Sequence, residues 1–333
     1  MLDASTLFTQ INSANRILLV SHVDPDGDTL GASGALAFYV QESLGKEVSI
    51  FCIDEIPNIY AFLNLEKFFI KKQSLQLDQY DLIICMDCAD PKRTGIEDEL
   101  QKSNRECAFS ATKNKTTLIN IDHHHTNPFF GNYNLVEPKT SSTCEIIYKL
   151  FTKQNVVFSK NIANCLLTGI TTDTTFFSNA ATTSNAVSAG SDLLNYGANI
   201  KQIIKNVWKK QTLYSLQIWG RILTQLDYNE KHKTVTAAVT EKEEIGHEIF
   251  EGFANFLTMI YEADLILVLT QAQNNLVKAS LRTVKDHIDV SVIAKKYGGG
   301  GHAKAAGFSV PGKLVKTKNG WAIAKSSPPS SKF

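Results

Sequence analysis

The sequence contains no apolar run long enough to cross a membrane. A transmembrane helix needs roughly 20 consecutive apolar residues, and no segment of the 333-residue chain approaches that length. The first residues also lack the basic segment and following apolar stretch of a secretory signal. These absences predict a cytoplasmic protein that does not span a membrane.

The sequence also lacks an excess of charge of either sign. Its 34 basic and 33 acidic residues leave a formal net charge of +1. A polyanion would therefore have to be bound by a local site, because the protein as a whole has no strong field. The composition, with 43% hydrophobic and 20% charged residues, is that of a globular protein.

Cysteine is scarce and scattered. The six cysteines lie mostly within apolar runs, as is typical of a reducing compartment, at positions 52, 85, 88, 107, 144 and 165. Cys85 and Cys88 form a CxxC pair, but no second pair follows. We therefore interpret both as core residues, and zinc binding or redox chemistry is the less favoured alternative.

Four short apolar segments rich in β-branched residues recur in the first half of the chain. They are Ile17–Val20, Val48–Ile53, Leu82–Met86 and Thr117–Ile121. Helical patterns or loops separate them, and apolar strands that alternate with helices are typical of a parallel sheet covered on both faces. We predict an α/β protein whose N-terminal domain has a Rossmann-like parallel sheet.

The C-terminal third of the chain has a different pattern. Strands are predicted at Thr234–Val239, Leu265–Thr270 and Val277–Leu281, with a helix near Val290–Lys296. This pattern predicts a smaller α+β domain with a mixed or antiparallel sheet. The apolar periodicity of residues 186–225 predicts helices. These helices would either join the two domains or pair across a homodimer.

These patterns predict the boundaries of four regions. They are a first domain at 1–185, a helical linker at 186–225, a second domain at 226–312 and a tail at 313–333. The tail contains lysines and no acidic residue, and we expect it to be poorly ordered.

Carboxylates and histidines follow several of the predicted strands. They are His22, Asp24, Asp26 and Asp28 after the first strand, Asp87 after the third, Asp122, His123, His124 and His125 after the fourth, and Asp173 after a later apolar segment. In an open parallel sheet, side chains beyond the carboxyl ends of the strands meet at one edge. These residues are therefore expected to lie close together.

Each of these stretches has an alternative interpretation when it is taken alone. DPDGD is a common turn sequence, Asp87 could cap a helix, and three histidines could form a solvated loop. Their coincidence at one sheet edge favours a metal site instead. Carboxylates mixed with neutral imidazoles suit Mn²⁺, with Mg²⁺ or Co²⁺ as alternatives. Since the candidate ligands exceed what one ion needs, we predict two ions.

The first strand is not followed by the glycine-rich turn that a nucleotide-binding Rossmann domain needs. The turn Asp24–Asp28 is anionic and would repel phosphate. Bound cations would invert the sign of the charge and attract phosphate. The sequence thus favours a metal-assisted phosphate site over a dinucleotide site.

A second group of chemically active residues lies far downstream. Arg282 ends a predicted strand, and a run of glycines at 298–301 precedes His302 and Lys304. Glycine N–H groups beside an arginine and a histidine can bind a phosphate or a carboxylate. A flexible turn is the alternative interpretation.

Taken together, these motifs resemble a known family. HVDPDGD, MDCAD, IDHHH and TTDT, in this order, are similar to the motifs of the DHH phosphoesterase superfamily, and LRT…KKYGGGGHAKAAG is similar to its DHH-associated domain. The resemblance spans residues 15–310. The two-domain layout most resembles the nanoRNase and 3′-phosphoadenosine-5′-phosphate (pAp) phosphatase group, also called NrnA-like; RecJ exonucleases are typically longer.

The resemblance implies two metal sites that share one carboxylate. One ion would be held by His22, Asp26 and Asp87, and the other by Asp28, Asp87, His123 and Asp173. The catalytic residues would be Asp87, Asp122 and His124. Among these, Asp122 would orient a histidine and His124 would face the substrate phosphate. The far end of the substrate would be held by Arg282, Gly299, Gly300, Gly301 and His302.

Two departures from the family pattern bear on this assignment. Thr175 stands where relatives often carry glycine, which leaves the ligand Asp173 intact but alters the local turn. His125 extends the histidine run, so the assignment of His123 as the ligand could shift by one residue.

The resemblance also implies a reaction and a class of substrate. The reaction is two-metal hydrolysis of phosphoesters in a cleft between the domains, and the substrates are short oligoribonucleotides or pAp. One alternative is cyclic di-AMP or its linear product pApA. An alternative of another class is a non-catalytic nucleotide-binding regulatory module. Pyrophosphate is disfavoured because the related pyrophosphatases have a different C-terminal domain.

Overall fold

The structure, a computed structural model, describes most of the chain. The described residues are 4–102, 116–179, 181–208, 212–240, 247–272, 275–301, 303–318 and 320–324. The chain divides into two compact units, Met1–Lys210 and Gln211–Phe333. Within the described ranges, no helix is both long enough and apolar enough to cross a membrane.

A parallel sheet forms the centre of the first unit, with its six strands in the order β3-β2-β1-β4-β5-β6. The strands are β1 (Arg16–Ser21), β2 (Glu47–Phe51), β3 (Phe69–Ile70), β4 (Leu82–Met86), β5 (Thr117–Asp122) and β6 (Tyr133–Val136). β1 pairs with β2 on one side and with β4 on the other. This is the strand order of a Rossmann-like fold, in which ligands bind beyond the carboxyl ends of the strands where the order reverses.

Apolar side chains cover both faces of this sheet. Every residue of β4 is buried, and so is every residue of β1 except Arg16, as expected for strands covered on both sides. Leu19 faces the larger apolar core, whereas Leu18 faces the opposite one together with Cys85 and Cys88. The CxxC pair therefore lies in the core, in agreement with the core interpretation.

Most helices of the first unit begin at polar caps. The helices are α1 (Ala4–Ser13), α2 (Gly27–Leu44), α3 (Thr143–Lys153), α4 (Lys160–Asp173), α5 (Ser184–Asn195) and α6 (Ile200–Ile203), and a π-helix (Ile204–Trp208) follows α6. Asp26, Ser142 and Ser159 cap α2, α3 and α4, because each side chain accepts hydrogen bonds from N–H groups of the first turn. Short 3₁₀ helices lie at Asn58–Leu63, Glu66–Phe68, Lys72–Ser74, Leu77–Gln79 and Pro91–Thr94.

The second unit has a mixed sheet of six strands in the order β11-β12-β10-β9-β8-β7. The strands are β7 (Asp227–Asn229), β8 (Thr234–Val239), β9 (Leu265–Ala272), β10 (Leu276–Arg282), β11 (Gly300–Gly301) and β12 (Ala305–Pro311). β8 and β9 are parallel, and the other neighbours are antiparallel. The helices are α7 (Leu213–Leu223), α8 (His247–Leu257) and α9 (Val290–Lys296).

The predicted fold class is confirmed in both units: the first contains a parallel sheet and the second contains helices and a mixed sheet. The helical character predicted for residues 186–225 is also found. However, α5 and α6 belong to the first unit and α7 belongs to the second. The four predicted regions stay a prediction.

The expected disorder of the tail is wrong for its first part. Two antiparallel strands, β13 (Lys313–Thr317) and β14 (Gly320–Ala324), pair there as a β-hairpin. Leu314, Trp321 and Ile323 pack against the core of the second unit, and this apolar contact orders a segment whose lysines suggested a solvated tail. Residues 325–333 lie outside the described residues.

Close packing between α2 and α4 yields a first prediction. A β-carbon at Gly31 would press against the carbonyl oxygen of Cys165 and lie 2.9 Å from the sulfur of Cys144. We predict that Gly31→Ala lowers the free energy of unfolding by about 1–3 kcal/mol, the cost of overpacking a core. Urea denaturation measures this loss.

Gly220→Ala in α7 is the matched control, because its β-carbon would have no atom within 4 Å. It should leave stability unchanged or raise it by up to about 1 kcal/mol through helix propensity. A Gly31→Ala protein as stable as this control would contradict the tight contact between α2 and α4.

Candidate metal centre

The chemically active side chains of the first unit meet at the carboxyl edge of its sheet. His22 follows β1, Asp87 follows β4, Asp122 is the last residue of β5 and His123 comes next. β1 and β4 are neighbours, and so are β4 and β5. The parallel arrangement therefore brings together residues that are far apart in sequence.

The amino ends of two helices add carboxylates to this edge. The Asp26 carboxylate caps α2 and accepts hydrogen bonds from the N–H groups of Asp28, at 3.0 Å, and Thr29, at 3.2 Å. The Asp28 carboxylate lies at the start of α3, where it accepts from the N–H groups of Thr143, at 2.6 Å, and Cys144, at 2.8 Å. Helix amino ends carry partial positive charge, which offsets part of the negative charge of both carboxylates.

One cluster of potential ligands consists of His22, Asp26 and Asp87, whose ligand atoms all lie within 4.8 Å of one another. Nε2 of His22 is 3.6 Å from Oδ1 of Asp26 and 3.4 Å from Oδ2 of Asp87. Nδ1 of His22 lies 2.7 Å from the carbonyl oxygen of Val23. A proton on Nδ1 donated to that oxygen would leave Nε2 as the metal-binding atom.

A second cluster consists of Asp28, His123 and Asp173, again within 4.8 Å. Nε2 of His123 is 3.3 Å from Oδ2 of Asp173 and 3.5 Å from Oδ1 of Asp87. Asp87 thus presents one oxygen to each cluster, and a further grouping joins it to His123 and His124. The residues offer a pair of adjacent sites with Asp87 between them.

Asp87 occupies a strained backbone position. Its φ is 60°, which is uncommon for a residue other than glycine. The N–H of Asp87 donates to the carbonyl oxygen of Ile121, at 2.9 Å, and the Thr143 hydroxyl donates to Oδ1 of Asp87, at 3.0 Å. These two hydrogen bonds hold the carboxylate between the clusters, and strain of this kind often accompanies a functional residue.

Asp122 contacts both neighbouring histidines and contributes to none of the clusters found among the described residues. Its fully buried carboxylate accepts from the N–H of His123, at 2.8 Å, and from Nδ2 of Asn127, at 2.6 Å. Oδ1 of Asp122 is also 2.7 Å from Nδ1 of His124. This is the carboxylate–histidine pairing that fixes imidazole orientation beside a metal or a substrate.

The charges of the site show that it favours cations. Burial, together with the Asp87 carboxylate, raises the pKa of Asp28 to about 7. Burial, Asp28 and Asp26 raise the pKa of Asp173 well above its ordinary value. Burial alone would lower the pKa of His22, but Asp26 and Asp87 outweigh it and raise that pKa to about 10.

This charge distribution fits divalent metal ions. Carboxylates that repel one another bind either protons or cations, and a bound metal ion inverts the local electrostatics. The donor set mixes carboxylate oxygens with imidazole nitrogens, which suits a first-row divalent ion. The chain therefore has metal-binding clusters at this edge.

The sequence did not single out three residues that support the site. Thr143 holds both Asp28 and Asp87, and Asn127 holds Asp122. Nη2 of Arg93 lies 3.1 Å from Nδ1 of His22, which places a positive charge beside the imidazole. The hydroxyl of Ser142, the N-cap of α3, accepts from the N–H of Glu145, at 3.0 Å.

The predicted substrate-binding residues belong to the second unit. Arg282 donates from Nε to Oδ1 of Asn255, at 3.1 Å, and from Nη1 to the hydroxyl of Ser280, at 3.1 Å. Gly299 precedes the short edge strand β11, whose residues Gly300 and Gly301 pair with β12. His302 lies outside the described residues. The role of this group in binding substrate stays a prediction.

The sequence matches two family models. Residues 16–170 match the DHH family, N-terminal domain, and residues 232–319 match the DHHA1 domain. The chain is 29% identical over 297 residues to the bifunctional oligoribonuclease and PAP phosphatase NrnA of Thermus thermophilus, covering 89% of this chain and 84% of that protein.

Two further relatives show the range of the similarity. The cyclic-di-AMP phosphodiesterase PdeA of Listeria monocytogenes is 27% identical over 315 residues, which cover 89% of this chain and 45% of that protein. The solved structure of an exopolyphosphatase-related protein from Bacteroides fragilis has a TM-score of 0.80 and 25% identity, with 92% of this chain and 90% of that chain covered.

The raised pKa of His22 predicts that metal binding releases protons. With a pKa of about 10, His22 is protonated near neutral pH when no metal is bound, and a metal at Nε2 must displace that proton. We predict that Mn²⁺ binding at about pH 7.5 releases at least about one proton per chain and tightens as the pH rises. Calorimetry in two buffers of different ionisation enthalpy measures the release.

His22→Gln is the matched variant for this experiment and should release about one proton fewer. Equal proton release by wild type and His22→Gln would show that His22 is not deprotonated on binding, and would contradict its protonated state in the metal-free protein.

Proposed function

Since the chain belongs to the DHH family of phosphoesterases and carries a DHHA1 domain, we propose that it hydrolyses short oligoribonucleotides and pAp with two bound divalent ions. The observation that carries this proposal is the pair of ligand clusters on either side of Asp87. The similarity to an NrnA protein over 89% of this chain supports the choice of substrates.

The two ions would be held by residues from four segments of the first unit. One set is His22, Asp26 and Asp87, and the other is Asp28, Asp87, His123 and Asp173. Mn²⁺ is the ion that this mixture of oxygen and nitrogen donors favours, with Mg²⁺ or Co²⁺ as alternatives. When bound, the ions supply Lewis acidity, which acidifies water and neutralises charge on a phosphoryl group.

His124 is the side chain that would act on the substrate phosphate. Burial lowers the pKa of His124, but the hydrogen bond with Asp122 outweighs it and raises that pKa. His124 is therefore protonated over a wider pH range than an exposed histidine and can donate a proton to a phosphate oxygen or to the leaving group. Asp122 fixes the ring, because it accepts at Nδ1 and directs Nε2 away from itself.

The second unit would bind the rest of the substrate through Arg282, Gly299, Gly300, Gly301 and His302. The hydrogen bonds of Arg282 to Asn255 and Ser280 limit the directions in which its guanidinium can point. A guanidinium fixed in this way suits a phosphate or a ribose oxygen.

The proposal also includes the predicted domain bounds 1–185, 186–225 and 226–312, a cytoplasmic location and a homodimer.

A second candidate substrate is a cyclic or linear dinucleotide. It is favoured by the similarity to a cyclic-di-AMP phosphodiesterase over 89% of this chain. The same two-metal chemistry would serve either ester. A binding module without catalysis is disfavoured, because both ligand clusters are complete and binding alone does not need them.

Turnover of short substrates tests this proposal. We predict that wild type with Mn²⁺ releases mononucleotides from a 5′-labelled RNA dinucleotide and phosphate from pAp, and leaves a long oligonucleotide largely intact. Asp87→Asn should lower kcat by at least about 10³-fold, because both clusters lose a ligand. The matched control is Asp78→Asn, an exposed aspartate in a 3₁₀ helix, which should retain full activity.

The ranking of dinucleotide, pAp and cyclic di-AMP decides among the substrates. Faster hydrolysis of cyclic di-AMP than of the other two would favour the second candidate. No hydrolysis of any of them by a protein that binds Mn²⁺ would contradict the proposed activity.

Arg282→Gln tests the role of the second unit. We expect KM for the dinucleotide to rise by about 10- to 100-fold, with kcat changed much less, because a charged hydrogen bond to substrate is lost. Lys278→Gln, an exposed cation in the same strand, is the control for loss of charge. Equal rises in KM for both variants would mean that Arg282 acts only through overall charge.

A further inference from the structure

Three consecutive residues, beginning two positions after the candidate ligand Asp173, adopt left-handed backbone conformations. The φ angles of Thr175, Phe176 and Phe177 are 49°, 55° and 63°. None of them is glycine, and residues other than glycine, asparagine and aspartate seldom adopt this conformation. Residues that hold such a conformation must be stabilised by their surroundings.

Two aromatic contacts hold this left-handed turn. The ring of Phe176 meets the ring of Trp208 edge to face, with centroids 5.1 Å apart. The ring of Phe177 lies against Gly190 of α5, where an added β-carbon would come within 2.7 Å of the ring. The Trp208 ring and the backbone at Gly190, from two other segments, thus contact successive residues of the turn.

The hydrogen bonds of the turn act on the backbone of Asp173. The N–H of Phe176 donates to the carbonyl oxygen of Thr171, at 2.7 Å. Nδ2 of Asn179 donates to the carbonyl oxygen of Asp173, also at 2.7 Å. The end of α4 is therefore closed around Asp173, whose Oδ2 lies 3.3 Å from Nε2 of His123.

Trp208 has two unusual features for a residue that holds the turn after Asp173. It ends the π-helix Ile204–Trp208, a rare element that occurs often at functional sites. Its side chain is 54% exposed, so it contributes less to the core than a buried tryptophan would. Its contact with Phe176 connects the end of the first unit to the turn after Asp173.

We propose that Phe176 and Trp208 are positioning residues for the metal centre: their contact holds the left-handed turn that places Asp173 opposite His123. The inference rests on the proposed assignment of Asp173 as a metal ligand. It adds that the ligand geometry depends on an aromatic contact with the segment that leaves the first unit, and not only on the sheet edge.

Calorimetric titration with Mn²⁺ tests the proposal without relying on turnover. Trp208→Ala should weaken Mn²⁺ binding by about 10- to 100-fold, the usual effect of losing a group that supports a metal ligand. Tyr196→Ala is the matched control, because Tyr196 is also a half-exposed aromatic residue but stacks on Phe158. This control should keep the affinity of wild type.

Trp208 should affect Mn²⁺ affinity only by positioning Asp173. In an Asp173→Asn background, Trp208→Ala should change the remaining Mn²⁺ affinity by less than about twofold, because residues that act through one group are not additive. An equal loss of affinity in both backgrounds would overturn the proposal. If Asp173→Asn alone leaves Mn²⁺ binding unchanged, the ligand assignment fails instead.

Thr175→Gly provides the second test. Glycine adopts a φ near 50° without a steric penalty, so Thr175→Gly in the Trp208→Ala protein should restore Mn²⁺ affinity to within about threefold of wild type. Failure to restore it would show that Trp208 does not act through the turn and would overturn the proposal. Melting temperatures of all variants identify a general loss of folding.

Discussion

Mutual repulsion among clustered carboxylates is the physical constraint on which the rest of the first unit depends. Asp26, Asp28, Asp87 and Asp173 lie in two clusters whose ligand atoms are within 4.8 Å of one another. Such a concentration of acids persists only where cations or hydrogen-bond donors compensate it. Burial and the same excess of negative charge raise the pKa values of Asp28 and Asp173, and this excess outweighs burial at His22, where it brings the pKa to about 10.

The secondary structure supplies part of that compensation before any ion binds. The amino ends of α2 and α3 direct N–H groups at Asp26 and Asp28, and Arg93 adds a cation beside His22. Glycine at position 169 leaves room for this arrangement, since a β-carbon there would lie 2.7 Å from Oδ1 of Asp28. The sheet order and the helix starts are thus organised around one charged edge.

The sequence predicted the parts of this site that have local signals. Apolar runs mark β1, β4 and β5, and polar residues directly after them must meet at one edge of a parallel sheet, so His22, Asp87 and His123 could be grouped in advance. The hydrogen bonds from α3 to Asp28 join residues more than a hundred positions apart, and no local pattern indicates them. The same holds for the contact between Phe176 and Trp208. In the tail, lysines concealed the alternation of Leu314, Trp321 and Ile323, whose apolar contacts order the hairpin.

The number of metal ions bound per chain shows whether the first unit has a two-metal centre. Equilibrium dialysis against Mn²⁺, followed by elemental analysis, gives this number without a substrate. We predict two ions per wild-type chain and one per Asp173→Asn chain, because Asp173 belongs to one cluster only. One ion or none on the wild-type chain at saturating Mn²⁺ would contradict the two-metal centre.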